Sequence, residues 1–266
     1  MATAYVNGRE INYTDTGGDG PPVILGHGYF TDHTVFAAQA AALSPQWRVI
    51  AWDARGHGAT ADADEPYTYW DQASDLLGLM DYLGIEQAAI GGISQGGFIT
   101  LRAALLAPTR VSAIILSDTE ATPCHPDDKV GYGQLFDALR EHGPIDDLVT
   151  PLSMQLIGDH PQAAEWRERW KSRTLPLGES ATCLLERDDV SDRLAEITCP
   201  ALLIWGSQDT SLPRDRMDLL ADRLPAATQV NVIAGAAHTP SLTHAQEVNQ
   251  VLAEFLSALV SSRTFS

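Results

Sequence analysis

Basic residues are scarce in this chain: 17 lysines and arginines stand against 35 acidic residues, for a formal net charge of −18. Such a surface repels phosphate backbones and anionic lipid, so neither nucleic-acid nor membrane partners are expected. Cysteines are few as well. Cys124, Cys183 and Cys199 lie far apart, make no CxxC pair and are odd in number, which points to free thiols rather than a disulfide framework. The eight histidines form no HExxH and no cluster with cysteine, so no metal site and no cofactor is expected. Long hydrophobic runs are missing too, and no window approaches the ~18–20 apolar residues of a membrane helix. The opening residues Met1–Gly8 lack a basic segment followed by an apolar one, which makes a secretory leader unexpected and cytoplasmic residence the expectation.

What is present is an ordinary globular composition, 44% hydrophobic and 20% charged, in 266 residues. That length suits one large domain or a domain carrying an insertion. Thr3–Val6 and Arg9–Tyr13 flank Asn7-Gly8, a pair that tolerates the positive φ angles of a tight turn, and predict a β-hairpin. Short apolar runs follow at Val23–Leu25, Val49–Trp52, Ala88–Ile90, Ala113–Leu116, Ala201–Trp205 and Val230–Ile233. Helical spacing separates them, as in Ala73, Leu76, Leu77, Met80 and Leu83 before Gly84, and recurs from Val248 to Leu259. Strands alternating with helices predict a mostly parallel sheet covered on both faces. The alternation breaks over residues 119–197, where prolines and helix-like pieces such as Gly133–Arg140 and Ala163–Lys171 replace strands. This stretch is too long for a loop in a compact domain. It reads as a helical cap inserted into a core formed by residues 1–118 and 198–266, lying over the strand ends where open α/β sheets bind ligands.

Four segments carry reactive chemistry. Gly92-Ile93-Ser94-Gln95-Gly96 is a G-x-S-x-G placed after an apolar run and before a helical one. A serine on so sharp a turn is strained, and small neighbours let the backbone double back and expose its Oγ. Leu25-Gly-His-Gly-Tyr29 ends another strand. Ester hydrolysis passes through an oxyanion that needs preorganised donors, and the backbone N–H groups of Tyr29 and Gln95 are the candidates. His27 reads as structural. Ile204–Asp209 places an acid after a third strand, and Gly235-Ala-Ala-His238 places a histidine in the loop after the last. His244 competes with His238, but Thr243…Gln246 reads as a helix capping box, which would put His244 in a first helical turn. Asp118 and Glu120 compete with Asp209 as the acid.

With these residues in place the chain resembles an α/β-hydrolase over essentially its whole length. The resemblance rests on Gly26–Gly28, Asp53-Ala-Arg-Gly-His-Gly58, the Gly92–Gly96 turn, Trp205–Asp209 and Gly235–His238. It is nearest to small bacterial esterases, non-haem haloperoxidase-like perhydrolases and 3-oxoadipate enol-lactonases, to which Cys183–Val190 is also similar. The resemblance implies an eight-stranded sheet, a cofactor-free Ser94–Asp209–His238 triad and a structural role for Asp53–Gly58. It further implies hydrolysis of a small carboxylic ester or lactone through a Ser94 acyl-enzyme. A C–C bond hydrolase, a cofactor-free dioxygenase and a non-catalytic receptor are the alternatives on this fold. They would be told apart by vinylogous keto acids, by oxygen uptake with a heteroaromatic ring, and by binding without turnover.

The cap carries one dense basic cluster. Arg167, Arg169, Lys171 and Arg173 alternate with Glu165 and Glu168 beside Trp166 and Trp170. Ion pairs at i, i+4 spacing such as Glu165–Arg169 explain the charges. The two tryptophans, also i and i+4, are then expected to face the substrate. An inward arginine holding a substrate carboxylate is the competing reading. The acidic surface disfavours anions, so a neutral substrate is expected.

Overall fold

Asn7 and Gly8 both take positive φ, 49° and 81°, and so join β1 (Ala2–Val6) to β2 (Arg9–Asp15) as an antiparallel hairpin with Val6 opposite Arg9. The computed structural model describes residues 1–263. The remaining strands are β3 (Pro22–Gly26), β4 (Arg48–Trp52), β5 (Ala88–Ile93), β6 (Val111–Ser117), β7 (Ala201–Gly206) and β8 (Asn231–Ile233). Each apolar run of the sequence falls in one of these, although β8 starts one residue later than its run. They form one sheet in the order β1-β2-β4-β3-β5-β6-β7-β8, parallel throughout except where β2 meets β1 and β4. All six residues of β5 are buried, so both faces of the sheet are covered there.

Helices fill the connections. α1 (Ala37–Leu43), α2 (Tyr69–Tyr82) and α3 (Gln95–Leu106) follow β3, β4 and β5. The start of α2 is fixed by a capping box between Thr68 and Asp71, and Gly84 at φ 66° turns the chain out beyond its end. Four helices lie between β6 and β7: α4 (Pro126–His142), α5 (Asp146–Leu156), α6 (Pro161–Lys171) and α7 (Glu179–Leu185). After β7 come α8 (Arg214–Arg223), α9 (Pro240–Thr243) and α10 (Ala245–Arg263).

Two cap helices carry no clear signal in the sequence, and one local expectation differs. α5 contains Pro151, which cannot donate within the helix and argues against one; burial of Val149, Leu152, Ser153 and Leu156 along one stripe holds it nonetheless. α7 is only seven residues long, too short for its period to stand out. The Thr243 capping box does not form, because Thr243 is the last residue of α9 and His244 sits between α9 and α10.

The strand order reverses at β3, which lies between β4 and β5, so the loops leaving β3 and β5 diverge and open a crevice at the carboxyl edge. The two strands meet there glycine to glycine, with Gly26 opposite Gly92. A Cβ on Gly92 would lie 2.2 Å from the Gly26 carbonyl oxygen, and one on Gly96 only 2.1 Å from it. Backbone, not a flexible side chain, stands in the way. Gly96→Ala should therefore cost at least the ~1–3 kcal/mol of an overpacked core, measured by urea unfolding. Gly131→Ala, on α4 with nothing within 4 Å of its Cβ, should instead gain about 1 kcal/mol of helix propensity. Equal stability of the two variants would contradict the close approach.

Candidate active site

Ser94 forms the junction between β5 and α3 at φ 52°, ψ −114°, a conformation that costs an L-residue ~1–3 kcal/mol. Its backbone is pinned from three sides. The Ser94 N–H donates to the Ser117 carbonyl at 3.0 Å, while its carbonyl accepts from the amides of Gly97 (2.8 Å) and Phe98 (3.1 Å) and from the Thr119 hydroxyl (2.7 Å). These bonds hold the strain and turn the side chain out of the sheet edge.

Asp209 lies in the turn after β7. The amides of Ser207 and Gln208 donate to the carbonyls of Ile233 and Ala236, which ties this turn to the loop carrying His238. Asp209 Oδ1 accepts the N–H groups of Ser211 (2.8 Å) and Leu212 (3.2 Å), leaving Oδ2 at 2.8 Å from His238 Nδ1. The proton of that imidazole therefore sits on Nδ1, and Nε2 keeps its lone pair. Burial of His238 opposes its cation, but Asp209, through charge and hydrogen bond, and then Asp118 and Glu120 outweigh it, so the pKa is raised. His244 has no part here, since its Nδ1 pairs with the Thr243 hydroxyl.

The competing acids have other partners. Asp118 is fully buried and accepts the Gly206 N–H at 2.7 Å and the Ser117 hydroxyl at 2.6 Å. Burial, reinforced by the Asp209 charge, pushes its pKa well up. Asp118, Asp209 and His238 offer ligand atoms within 4.8 Å of one another, a spacing suited to a cation. Their facing atoms are already engaged by the bonds just given, which an ion would have to break. Glu120 pairs instead with Arg187, accepts the Thr122 hydroxyl at 2.7 Å and lies 3.6 Å from Arg216. Of the three acids, Asp209 alone hydrogen-bonds His238.

Tyr29 stands close to the serine, since a Cβ on its neighbour Gly28 would lie 3.6 Å from Ser94 Cβ. The amides of Tyr29 and Gln95 have no acceptor among the described residues, so both can serve a developing negative charge. His27 braces this loop: its Nδ1–H meets the Gly28 carbonyl at 2.8 Å, and its Nε2 accepts the Ala54 N–H at 3.1 Å. Burial, then the neighbouring His27, pushes His57 down to about 3, so it is neutral at any ordinary pH. Arg55 is occupied by Asp75 at 2.6 Å.

Ser94 and His238 open into one cavity of about 480 Å³, measured out to its mouth. Tyr29, Phe30, Phe98, Leu156, Leu184 and Leu212 form its apolar wall; Cys124, Asp128, Tyr132, Arg187 and Ser211 form the polar one. Trp166 and Trp170 are absent from it, which corrects the expectation that they face the substrate. Trp170 lies behind Phe30, donating its indole N–H to the Phe30 carbonyl at 2.8 Å, and Trp166 packs on Trp170 with centroids 6.3 Å apart. The i, i+4 stripe marks the seam between cap and core rather than the cavity. The basic cluster is likewise outside. Arg169 meets Glu165 at 2.6 Å and Thr34 at 2.8 Å, Arg167 meets Ser153, Lys171 meets Asp146 and Glu168, and Arg173 meets Asp32 at 2.5 Å. Arg187 is the cation that reaches the wall. In the sequence it stands in Glu186-Arg187-Asp188-Asp189, a charged run that carries no signal of burial.

Residues 21–245 match a family model described as the alpha/beta hydrolase fold. The chain is 27% identical to 3-oxoadipate enol-lactonase 1 of Acinetobacter baylyi over 90% of each protein. Among solved structures it is similar to a thermophilic esterase from Thermogutta terrifontis, with a TM-score of 0.87 and 29% identity over 97% of this chain and 98% of that one. The enol-lactonase from Burkholderia xenovorans is equally near, with a TM-score of 0.87 and 27% identity over 96% of this chain and 100% of that one.

Histidine titration by NMR should separate the imidazoles of this site. His57 should stay neutral through pH 5, while His238 should protonate above the ordinary histidine value of 6.5 and move downward in Asp209→Asn. A His238 that titrates below 6.5 in the intact protein would refute the influence assigned to Asp209.

Proposed function

Because the chain belongs to the α/β-hydrolase family, we propose that Ser94 is its nucleophile, His238 the general base and Asp209 the acid that orients the base. The protein is a hydrolytic enzyme acting on carboxylic esters or lactones. The observation that carries the residue assignment is the 2.8 Å contact from His238 Nδ1 to Asp209 Oδ2, in the cavity that the strained Ser94 enters.

His238 Nε2 takes the Ser94 hydroxyl proton as Oγ attacks the substrate carbonyl carbon. The carbonyl oxygen becomes an oxyanion facing the Tyr29 and Gln95 amides, and Asp209 stabilises the imidazolium. When the intermediate collapses, the C–O bond breaks and the alkoxide takes the proton back from His238. In a lactone that alcohol stays attached to the acyl chain. Water, deprotonated by His238, then attacks the acyl-enzyme and frees the acid and Ser94. Residues 1–118 and 198–266 supply this chemistry. Residues 119–197 act as a cap that contributes Cys124, Tyr132, Leu156, Leu184 and Arg187 to the cavity wall. A small-molecule substrate suits a cavity of about 480 Å³.

No helix among the described residues is long and apolar enough to cross a membrane. The three cysteines are free, which supports a reducing, cytoplasmic setting.

Ser94→Ala should abolish hydrolysis of p-nitrophenyl acetate while leaving thermal unfolding cooperative, and an organophosphonate should label Ser94 alone. A fully active alanine variant, or label elsewhere, defeats the assignment. Asp209→Asn should lower turnover by ~10⁴, as loss of the aspartate does in serine proteases. Asp118→Asn, which keeps the size of a side chain bonded to Gly206 and Ser117 rather than to His238, should cost far less. The reverse ranking would move the acid to the end of β6.

A further inference from the structure

Arg187 is a buried cation in a substrate cavity, and its surroundings decide what it can do there. The loop that carries it is clamped by Arg102 of α3, which holds the Asp188 carboxylate and the Asp188 carbonyl at 2.7 Å each. Its guanidinium lies 4.7 Å over the Phe98 ring, the residue whose amide caps the Ser94 carbonyl. The side chain is 6% exposed. Nη1 donates to the Leu184 carbonyl at 2.8 Å and Nη2 to Glu120 Oε1, while Nε is buried without a partner.

A free arginine in this place would grip a substrate carboxylate with two parallel N–H bonds. Glu120 already holds that charge, through a single bond from Nη2. It is 4% exposed, stands on the loop after β6, and has Arg216 at 3.6 Å as its other cation. An anionic substrate would have to draw Arg187 away from a buried carboxylate, and breaking one side of such a pair strands the other charge. The wall itself adds no compensating cation, since its other charged residue is Asp128.

We propose that the Glu120–Arg187 pair sets the substrate class: with the arginine occupied from within, the cavity takes uncharged esters or lactones and excludes those bearing a second, free carboxylate. This rests on the hydrolase reading above. The pair cancels the arginine's charge, and Glu120 is the element that withholds the cation. Removing its charge alone turns the same cavity into a carboxylate receptor.

The test uses two esters of equal chain length, p-nitrophenyl hexanoate and mono-p-nitrophenyl adipate, with wild type, Glu120→Gln and the doubly neutral Glu120→Gln/Arg187→Met. Wild type should favour hexanoate in kcat/KM by about tenfold or more. Glu120→Gln should shift the ratio toward adipate by about tenfold or more, and the double variant should return it toward wild type. A pair that served only to join cap and core would lower both activities together and leave the ratio alone, which overturns the proposal. Wild-type preference for adipate overturns it as well, even if Glu120→Gln does not fold. If wild type hydrolyses neither ester, or Ser94→Ala hydrolyses hexanoate as well as wild type does, the hydrolase assignment itself fails and the proposal with it.

Discussion

The Gly26 carbonyl oxygen leaves no room for a side-chain carbon on Gly92 or Gly96, and everything at the site depends on that contact. It brings the end of β3 against the turn between β5 and α3, at the place where the strand order reverses. One consequence is the position of the Tyr29 amide beside Ser94. Another is the strain at Ser94 itself, which can persist only because Ser117, Gly97, Phe98 and Thr119 fix its backbone from both strand and helix. A single close approach thus brings Ser94 together with the amides of Tyr29 and Gln95.

Electrostatics around the histidine follow a second constraint, which is that acidic groups crowd a site with few cations. Asp118 and Asp209 share one buried neighbourhood, where burial and the Asp209 charge push the Asp118 carboxyl up while Asp209 holds the imidazole. Glu120 is neutralised by arginines supplied from the cap side and from α8. In a protein of net charge −18, the interior is balanced pair by pair rather than by the overall charge.

The sheet and the Ser94 turn were legible in the sequence because their physical demands are local. Six apolar runs and a glycine-rich strand–turn–helix can be recognised without knowing what they touch. His238 and Asp209 were legible as loop residues after strands, and the segments around them favoured both over His244 and Asp118; the structure adds the contact between them. His244 lies between two helices rather than in a capping box, and Asp118 is bound to Gly206 and Ser117. The cavity wall was not legible. Its polar members Cys124, Asp128, Tyr132, Arg187 and Ser211 come from separate segments with no shared period. The tryptophans of α6 have a clear period, but period reports burial, and burial at the seam looks in sequence like burial at a pocket. Pro151 concealed α5 in the opposite way, by breaking a local rule that tertiary packing overrides.

Four bonds among the described residues join the cap to the loop after β3: the Trp170 indole to the Phe30 carbonyl, the Tyr29 hydroxyl to the Pro176 carbonyl, Arg173 to Asp32, and Arg169 to the Thr34 hydroxyl. The same loop carries the Tyr29 amide. Residues 119–197 are thus tied to the loop that carries the Tyr29 amide beside Ser94. A shift of that segment also moves this amide. Loosening the tryptophan seam, far from the serine, should be felt in turnover before it is felt in substrate affinity.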